Sequence, residues 1–487
     1  MRQDVGLYEN VICLDLNSLY PSIIRTYNIS WDTLVDPADW DQYSMDDVHV
    51  FKIPKPDTTD EMEVRFLKSH IRVGVLTQIV ADFVNTRSKV KKERNQHDPD
   101  SIQYKILDAR QAALKVQANS AYGLLGVRSK TAKLPLPEGA AAVTLVGRQT
   151  IMWTNEWLDK HYNAYIVYGD TDSTMFRLPG ISTINEMVEV GNKIANEVNE
   201  ELPGLLKYKF EKVMDRMLII SKKCYVGHMA YEEGSYVDYI LMKGVKSIRG
   251  DNCAWKRNIC NMLLKAGLYQ YPITITIRNL FNECSRLMQN KVDIRDLQFR
   301  TTVNSYSPSS VHPNAVFARR MQANDLQIAK GSKIHYYMCH PGVKKIGLKM
   351  EEVTRYENLK ATDQEIELDN LEIIRGLNKY ISQVFTIAYQ QDIESKYPDM
   401  FIESSATYCY SLKAFGKILY NVCKEYEPDQ IPQVAKKVVE SVLMRSRLPA
   451  DRVPIDEIPN MHRIRKAERQ AFDDALDRAF RITDVMY

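Results

Sequence analysis

The sequence predicts an α+β fold, and three observations carry that reading. Short β-branched and aromatic runs recur at 10–16, 164–176 and 207–221, which suit strands. Stretches at 74–122, 127–160 and 182–200 instead space their apolar residues as helices do. From about 251 onward the pattern is mostly helical, with one strand expected at Lys333–Met338.

Composition sets outer bounds. The chain has 487 residues, 45% hydrophobic and 26% charged, ordinary for a soluble globular protein large enough for several subdomains. No apolar run approaches the ~18 residues of a membrane span, and the N-terminus lacks a secretory pattern, so an intracellular, soluble protein is expected. Eight scattered cysteines without a C-x-x-C pair read as reduced thiols. The net charge of +3 says little, because a nucleic-acid binder needs its cations gathered locally.

In chain order, Asn10 to Leu16 reads as a strand whose period of two puts Val11, Cys13 and Asp15 on one face. Asn17 to Ile24 turns the chain, with Pro21 suited to a first helical turn. Residues 31–66, polar and acidic with three prolines, read as a surface excursion. From Gly74 a helix is expected to pack through Val75, Ile79, Val80, Phe83 and Val84, with Arg87, Lys91 and Arg94 recurring beyond them. Asp98-Pro99 reads as the start of a second helix, packing through Ile102, Ile106, Ala109, Ala113 and Val116. Lys115, Asn119 and Tyr122 share a neighbouring face, and Gly123 reads as its end. Two helices joined by a tight turn run antiparallel, so Arg87 and Lys91 are expected to converge with Lys115 and Asn119 on one anion.

Next comes a predicted hairpin, Ala164–Tyr168 and Thr174–Phe176, with Gly169 supplying the turn and Asp170 and Asp172 at its tip. Lys207–Lys223 reads as two strands around a turn. Lys222, Lys223 and Tyr225, then Lys243, Lys246 and Arg249, interleave cations with tyrosine and glycine, as suits a phosphate backbone. Beyond 251, helices are expected at 254–270, 276–290, 310–324, 369–391, 432–446 and 464–481, and the basic tail from Arg463 to Arg481 reads as a surface helix.

Asp15, Asp170 and Asp172 are hard oxygen donors of the kind that hold Mg²⁺ beside substrate phosphates. Together with a cationic helix pair they point to phosphoryl or nucleotidyl transfer, which asks for alignment and charge neutralisation rather than covalent help. No Ser-His-Asp set, Walker loop or zinc spacing competes.

Three segments then stand in order: Asp15-Leu-Asn-Ser-Leu-Tyr-Pro-Ser-Ile, Lys115-Val-Gln-Ala-Asn-Ser-Ala-Tyr-Gly and Tyr168-Gly-Asp-Thr-Asp-Ser. They resemble motifs A, B and C of the family B (alpha-like) DNA polymerases. Lys223-Cys-Tyr225 and Lys243-Gly-Val-Lys-Ser-Ile-Arg249 extend the resemblance, while Arg249-Gly250-Asp251 departs from it, since the family often has two arginines before the acid. The resemblance implies a right-hand architecture: a β-sheet palm at 1–70 and 127–250, helical-hairpin fingers at 71–126, and a mostly helical thumb at 251–487. It implies a DNA-directed DNA polymerase acting on primer–template DNA and dNTPs with two Mg²⁺ ions, Mn²⁺ being a possible substitute. Asp15 and Asp172 would hold the metals, with the Leu16 carbonyl assisting and Asp170 auxiliary. Ser18, Leu19, Arg87, Lys91, Lys115 and Asn119 would contact the triphosphate, and Tyr20 would exclude a 2′-hydroxyl. Tyr122, Gly123, Lys223, Tyr225 and Lys243 would contact DNA.

The resembling family carries several hundred residues before motif A, including a 3′–5′ exonuclease, whereas motif A here begins at residue 15. The polymerase half of a split enzyme with a separate exonuclease-bearing subunit, or a fragment, is therefore expected, a processivity factor being a possible further partner. The alternative reading is a catalytically silent DNA-binding or scaffold subunit; the retained acids and the Lys115 face argue against it.

Overall fold

The structure, a computed structural model, describes residues 5–54, 60–127, 134–245, 250–304 and 309–377, apart from a few positions within the last two stretches, and parts of 380–388 and 423–431. The expected helices at 432–446 and 464–481, the basic tail, and Lys246–Arg249 lie outside the described residues. Two compact units emerge. The first holds residues 9–215 and 229–238; the second holds 5–8, 216–228 and the described chain from 239 onward.

The first unit opens with β1 (Gly6–Leu16), whose Val11 to Leu14 are completely buried, and turns into α1 (Leu19–Thr26). Residues 31–66 are only in part a surface excursion: 36–47 are mostly exposed, but β2 (Val48–Pro54) and β3 (Glu61–Leu67) pair as an antiparallel ribbon that buries Phe51, Ile53, Val64 and Phe66 in the main core. The alternation of apolar with charged residues was there to read, and the flanking acids and prolines masked it.

Next come α2 (Val75–Arg94) and α3 (Ile102–Leu125). Ser101, not Asp98, caps α3, accepting from the Tyr104 N–H at 3.1 Å, and the helix runs through Gly123 to a cap at Gly126. The expected apolar stripe holds in part on α2, where Val80 is buried and Val84 packs against the core, and fails on α3. Val75, Ile79, Ile102, Ile106 and Val116 are exposed, while Leu76, Val80, Val90, Leu107, Ala118, Ala121 and Leu125 are buried. The two helices meet through polar groups. Arg87 donates to Gln111 (3.2 Å), Gln111 to Asp108 (3.2 Å), and Arg94 pairs with Asp108 at 2.6 Å while lying over the Tyr104 ring.

The long α4 (Pro137–Tyr162) leads into the hairpin β4 (Tyr165–Asp170) and β5 (Ser173–Arg177), then α5 (Ile184–Glu201), held at its start by a Thr183–Glu186 capping box. Gly191 of α5 lies against Phe210 and Ile12, too close for a side chain there. Lys207–Lys223 is not two strands but one, β6 (Tyr208–Ser221); Asp215-Arg216, which read as a turn, sits within it. A turn at Lys222-Lys223 joins it to β7 (Cys224–Glu232), and β8 (Ser235–Lys243) follows. Six strands hydrogen-bond in the order β4-β5-β1-β6-β7-β8.

The second unit continues with α6 (Ala254–Leu268), α7 (Ile273–Met288), β9 (Phe299–Thr302), α8 (Pro313–Gln322), β10 (Lys333–Met338), α9 (Ile346–Lys349), β11 (Met350–Glu352), α10 (Val353–Ala361) and α11 (Asn370–Arg375). A three-stranded sheet, β11-β10-β9, interrupts what the sequence led us to expect as mostly helix. Its short outer strands, of three and four residues, give too little periodicity to register alone. The core of this unit gathers Trp255, Leu263, Leu280, Phe281, Tyr337 and Ile374. None of the seven described cysteines is in a disulfide, and no described helix is long and apolar enough to cross a membrane.

Candidate active site

Strand pairing brings the acids together. β5 lies between β1 and β4, so Ser173 faces Asp15 on one side and Asp170 on the other. The Leu16 N–H donates to the Asp172 carbonyl at 2.9 Å, which fixes the hairpin tip against the end of β1. The turn itself is made at Thr171, not Gly169: Gly169 is paired within β4, while Thr171 takes φ 59. The Asp172 N–H donates back to the Asp170 carbonyl at 2.6 Å, closing a three-residue turn. A β-branched residue with positive φ stores strain, of order 1–3 kcal/mol, that the surrounding strands must hold.

Asp15 and Asp172 line a cavity of about 580 Å³ within the first unit; Asp170 does not. The chain reaches this cavity from β1 through Leu16, Asn17, Ser18, Leu19 and Tyr20, with Ser18 left-handed at φ 48 where α1 begins. Opposite stand Arg87 and Lys91 of α2 with Lys115, Asn119, Tyr122 and Gly123 of α3, so the expected convergence of the two helices occurs. The neighbouring Lys89 and Lys92 do not line it. Arg94, fixed to Asp108, is likewise absent from the lining. The Tyr20 and Tyr122 rings lie 4.3 Å apart at 32° and form part of the wall.

Electrostatics distinguish the acids. Burial first, then the charges of Asp172 and Glu211, push the Asp15 carboxyl up to about 7, against the pull of Lys212 and Lys115. Burial likewise raises Asp172, with Asp170 and Glu211 adding to it and Lys115 opposing. Two neighbouring carboxylates that each resist ionisation form a donor set a divalent cation would relieve, and hard oxygens suit Mg²⁺. Among the described residues no group of three or more His, Cys, Asp or Glu side chains is gathered to hold a metal by itself. On the cationic side, burial and the neighbouring Arg94 lower Arg87, and burial followed by Arg87 lowers Lys91.

Five lining residues escaped sequence reasoning: Asn17, Thr171, Lys209, Glu211 and Glu233. Lys209 and Glu211 stand two apart on β6, a period-two signal, but nothing in the sequence says that this strand adjoins β1. Glu211 accepts from the Cys13 thiol at 3.5 Å and pairs with the buried Lys212 at 2.9 Å. Lys223, Tyr225 and Lys243 belong to the second unit. There Gly244, at φ 66, lies so close to the Lys223 carbonyl that no side chain fits, which keeps Lys223 beside the end of β8. Tyr225 is buried.

The profile of DNA polymerase family B matches residues 1–390. The chain is 32% identical over 343 residues to the DNA polymerase delta catalytic subunit of Schizosaccharomyces pombe, covering 68% of this chain and 30% of that protein. With the Mesocricetus auratus delta catalytic subunit the identity is 33% over 333 residues, covering 66% and 29%. The chain thus spans about a third of the length of these curated relatives. In fold it is similar to the family B DNA polymerase of Pyrobaculum calidifontis, with a TM-score of 0.53 at 24% identity, covering 80% of this chain and 46% of that one.

Proposed function

The chain belongs to DNA polymerase family B, and from that premise we propose that the cavity of its first unit is the nucleotidyl-transfer centre of a DNA-directed DNA polymerase. One observation carries the reading: two carboxylates raised by burial, Asp15 and Asp172, share a cavity with the converging cations Arg87, Lys91 and Lys115. In this reading residues 1–70 and 127–250 serve as palm, 71–126 as fingers and the remainder as thumb.

The reaction joins a primer 3′-hydroxyl to the α-phosphorus of a dNTP. A new bond forms from the 3′-oxygen to the α-phosphorus, the bond from the α-phosphorus to the bridging oxygen breaks, pyrophosphate departs with that electron pair, and the hydroxyl proton passes to solvent. Asp15 and Asp172, with the Leu16 carbonyl, would hold two Mg²⁺ ions, or Mn²⁺ in their place; Asp170, outside the cavity lining, is auxiliary. Bound there, the ions would neutralise charge on the attacking and leaving oxygens. Arg87, Lys91 and Lys115 bind the β- and γ-phosphates and, with Asn119 and the Ser18–Leu19 turn, align the triphosphate for in-line displacement. Tyr20 bounds the sugar and excludes a 2′-hydroxyl, and Tyr122 and Gly123 flank the nascent base pair. Lys223, Tyr225 and Lys243 bind primer–template DNA.

Primer extension with Mg²⁺ and dNTPs tests the assignment. Wild type is expected to extend and Asp172→Ala to fail while still binding primer–template. A wild type that binds DNA without extending it would refute the reading in favour of a silent DNA-binding subunit.

A further inference from the structure

Lys209 and Glu233 line the cavity without a role in the reaction as assigned. Lys209 stands on β6, and its Nζ is 3.8 Å from a carboxylate oxygen of Glu233, which sits where β7 turns into β8. The turn is tightly specified: Glu233 takes φ 47, Gly234 takes φ 93, and the Glu233 N–H donates to the Glu211 carbonyl at 3.2 Å, pinning the turn to β6. The two side chains are 51% and 71% exposed, so their ion pair contributes little to the fold. Yet a carboxylate here faces a site for a polyanion, where it opposes binding. The Lys91 ammonium on α2 senses both groups, Glu233 favouring its charge and Lys209 opposing it. Glu233 therefore pairs with one lining cation, Lys209, and favours the charge of another, Lys91.

We propose that Glu233 is a positioning residue that limits the cavity's hold on polyphosphate, neutralising Lys209 and drawing on Lys91 so that pyrophosphate leaves after each transfer. The inference rests on reading the cavity as a triphosphate site. Once the bond between the α- and β-phosphates has broken, the departing pyrophosphate carries several negative charges past four lining cations, Arg87, Lys91, Lys115 and Lys209. A carboxylate among them reduces the net positive charge that the product must escape. Glu211, Asp15 and Asp172 also line the cavity, but Glu211 is already engaged with Lys212 and Cys13. Glu233 is bonded through its side chain to Lys209 alone among the lining residues, which makes it the group that can trade partners with an incoming phosphate.

The test combines calorimetric binding of inorganic pyrophosphate to the full chain with steady-state primer extension under pyrophosphate inhibition. Glu233→Gln is expected to tighten pyrophosphate binding and lower the KM for dNTP by about three- to tenfold, the effect of one charge on a multiply charged ligand in a solvated site. Its kcat should not exceed wild type, because product leaves more slowly. Lys209→Gln should shift both quantities the other way, and the double variant should return towards wild type. Unchanged pyrophosphate affinity in Glu233→Gln would overturn the proposal, as would an effect of undiminished size in the Lys209→Gln background. A wild type that neither extends a primer nor binds pyrophosphate overturns the triphosphate reading itself, an outcome distinct from an active enzyme indifferent to Glu233.

Discussion

Gly123 offers a perturbation in which stability and activity should move in opposite directions. It lies inside α3, two residues before the helix ends, and has no positive φ that would require glycine. A methyl group built on it meets no protein atom within 4 Å, although the residue lines the cavity. Nothing in the protein itself therefore asks for glycine there, and a glycine in a helix costs about 0.5–1 kcal/mol relative to alanine. Gly123→Ala should accordingly stabilise the free protein by up to that amount, read as an upward shift of about 2 °C in the thermal midpoint.

In the proposed complex the same space is filled by the nascent base pair and template. A methyl inserted into an otherwise close-packed contact costs about 1–3 kcal/mol, so kcat/KM for dNTP addition should fall by roughly five- to a hundredfold. The pair of measurements is a thermal melt without DNA and single-nucleotide extension on a defined primer–template. A variant that is both more stable and fully active would refute the idea that Gly123 is kept open for substrate. A variant that is less stable would refute the helical argument.

Asp15→Asn removes a carboxyl whose pKa is raised from 3.8 to about 7, so its cost to folding is absent below the unfolded value and complete above about pH 7. The variant should match wild type near pH 4 and exceed it by up to about 4 kcal/mol near pH 8 in urea unfolding without metal. Adding Mg²⁺ should raise the melting point of wild type more than that of Asp15→Asn, and a chelator should erase the difference. Tyr20→Ala should raise ribonucleotide incorporation by at least about tenfold while leaving dNTP use comparatively intact, checked by competition extension with rNTP and dNTP. His49, stacked edge-on against Tyr27, is pushed by burial down to about 4. The unfolded chain then binds the extra proton between about pH 6.5 and 4, so wild type should lose stability as pH falls through that window, by less than the whole shift because the ring is partly exposed, and His49→Phe should flatten the profile.

What the sequence disclosed of the site was whatever rests on local periodicity. Asp15 near the end of β1, the hairpin carrying Asp170 and Asp172, and the i, i+4 spacings of Arg87–Lys91 and Lys115–Asn119 are all set by residues within a turn or a strand of one another. Adjacency across strands was out of reach. That Ser173 stands between Asp15 and Asp170, and that β6 brings Lys209 and Glu211 to the cavity, depends on sheet order, which no local pattern encodes. The hairpin misled in a smaller way: Gly169 looked like the turn residue, but the strand pairs through it and leaves the positive φ to Thr171.

The exposed stripe on α3 carries the deeper lesson. Reading apolar residues as the packing face assumes that helices associate by burying hydrocarbon, and here Ile102, Ile106 and Val116 are exposed. The facing surfaces are instead joined by Arg87, Gln111, Asp108 and Arg94, a chain of hydrogen bonds whose first member also lines the cavity. Arg87 is thus oriented by Gln111 before any ligand arrives, and ordering it in advance lowers the entropic cost of gripping an anion. An apolar interface would bury more hydrocarbon between the two helices but leave the Arg87 guanidinium without a fixed partner. The polar seam gives up some burial to hold a charged group in place, which is the arrangement that alignment of a triphosphate demands.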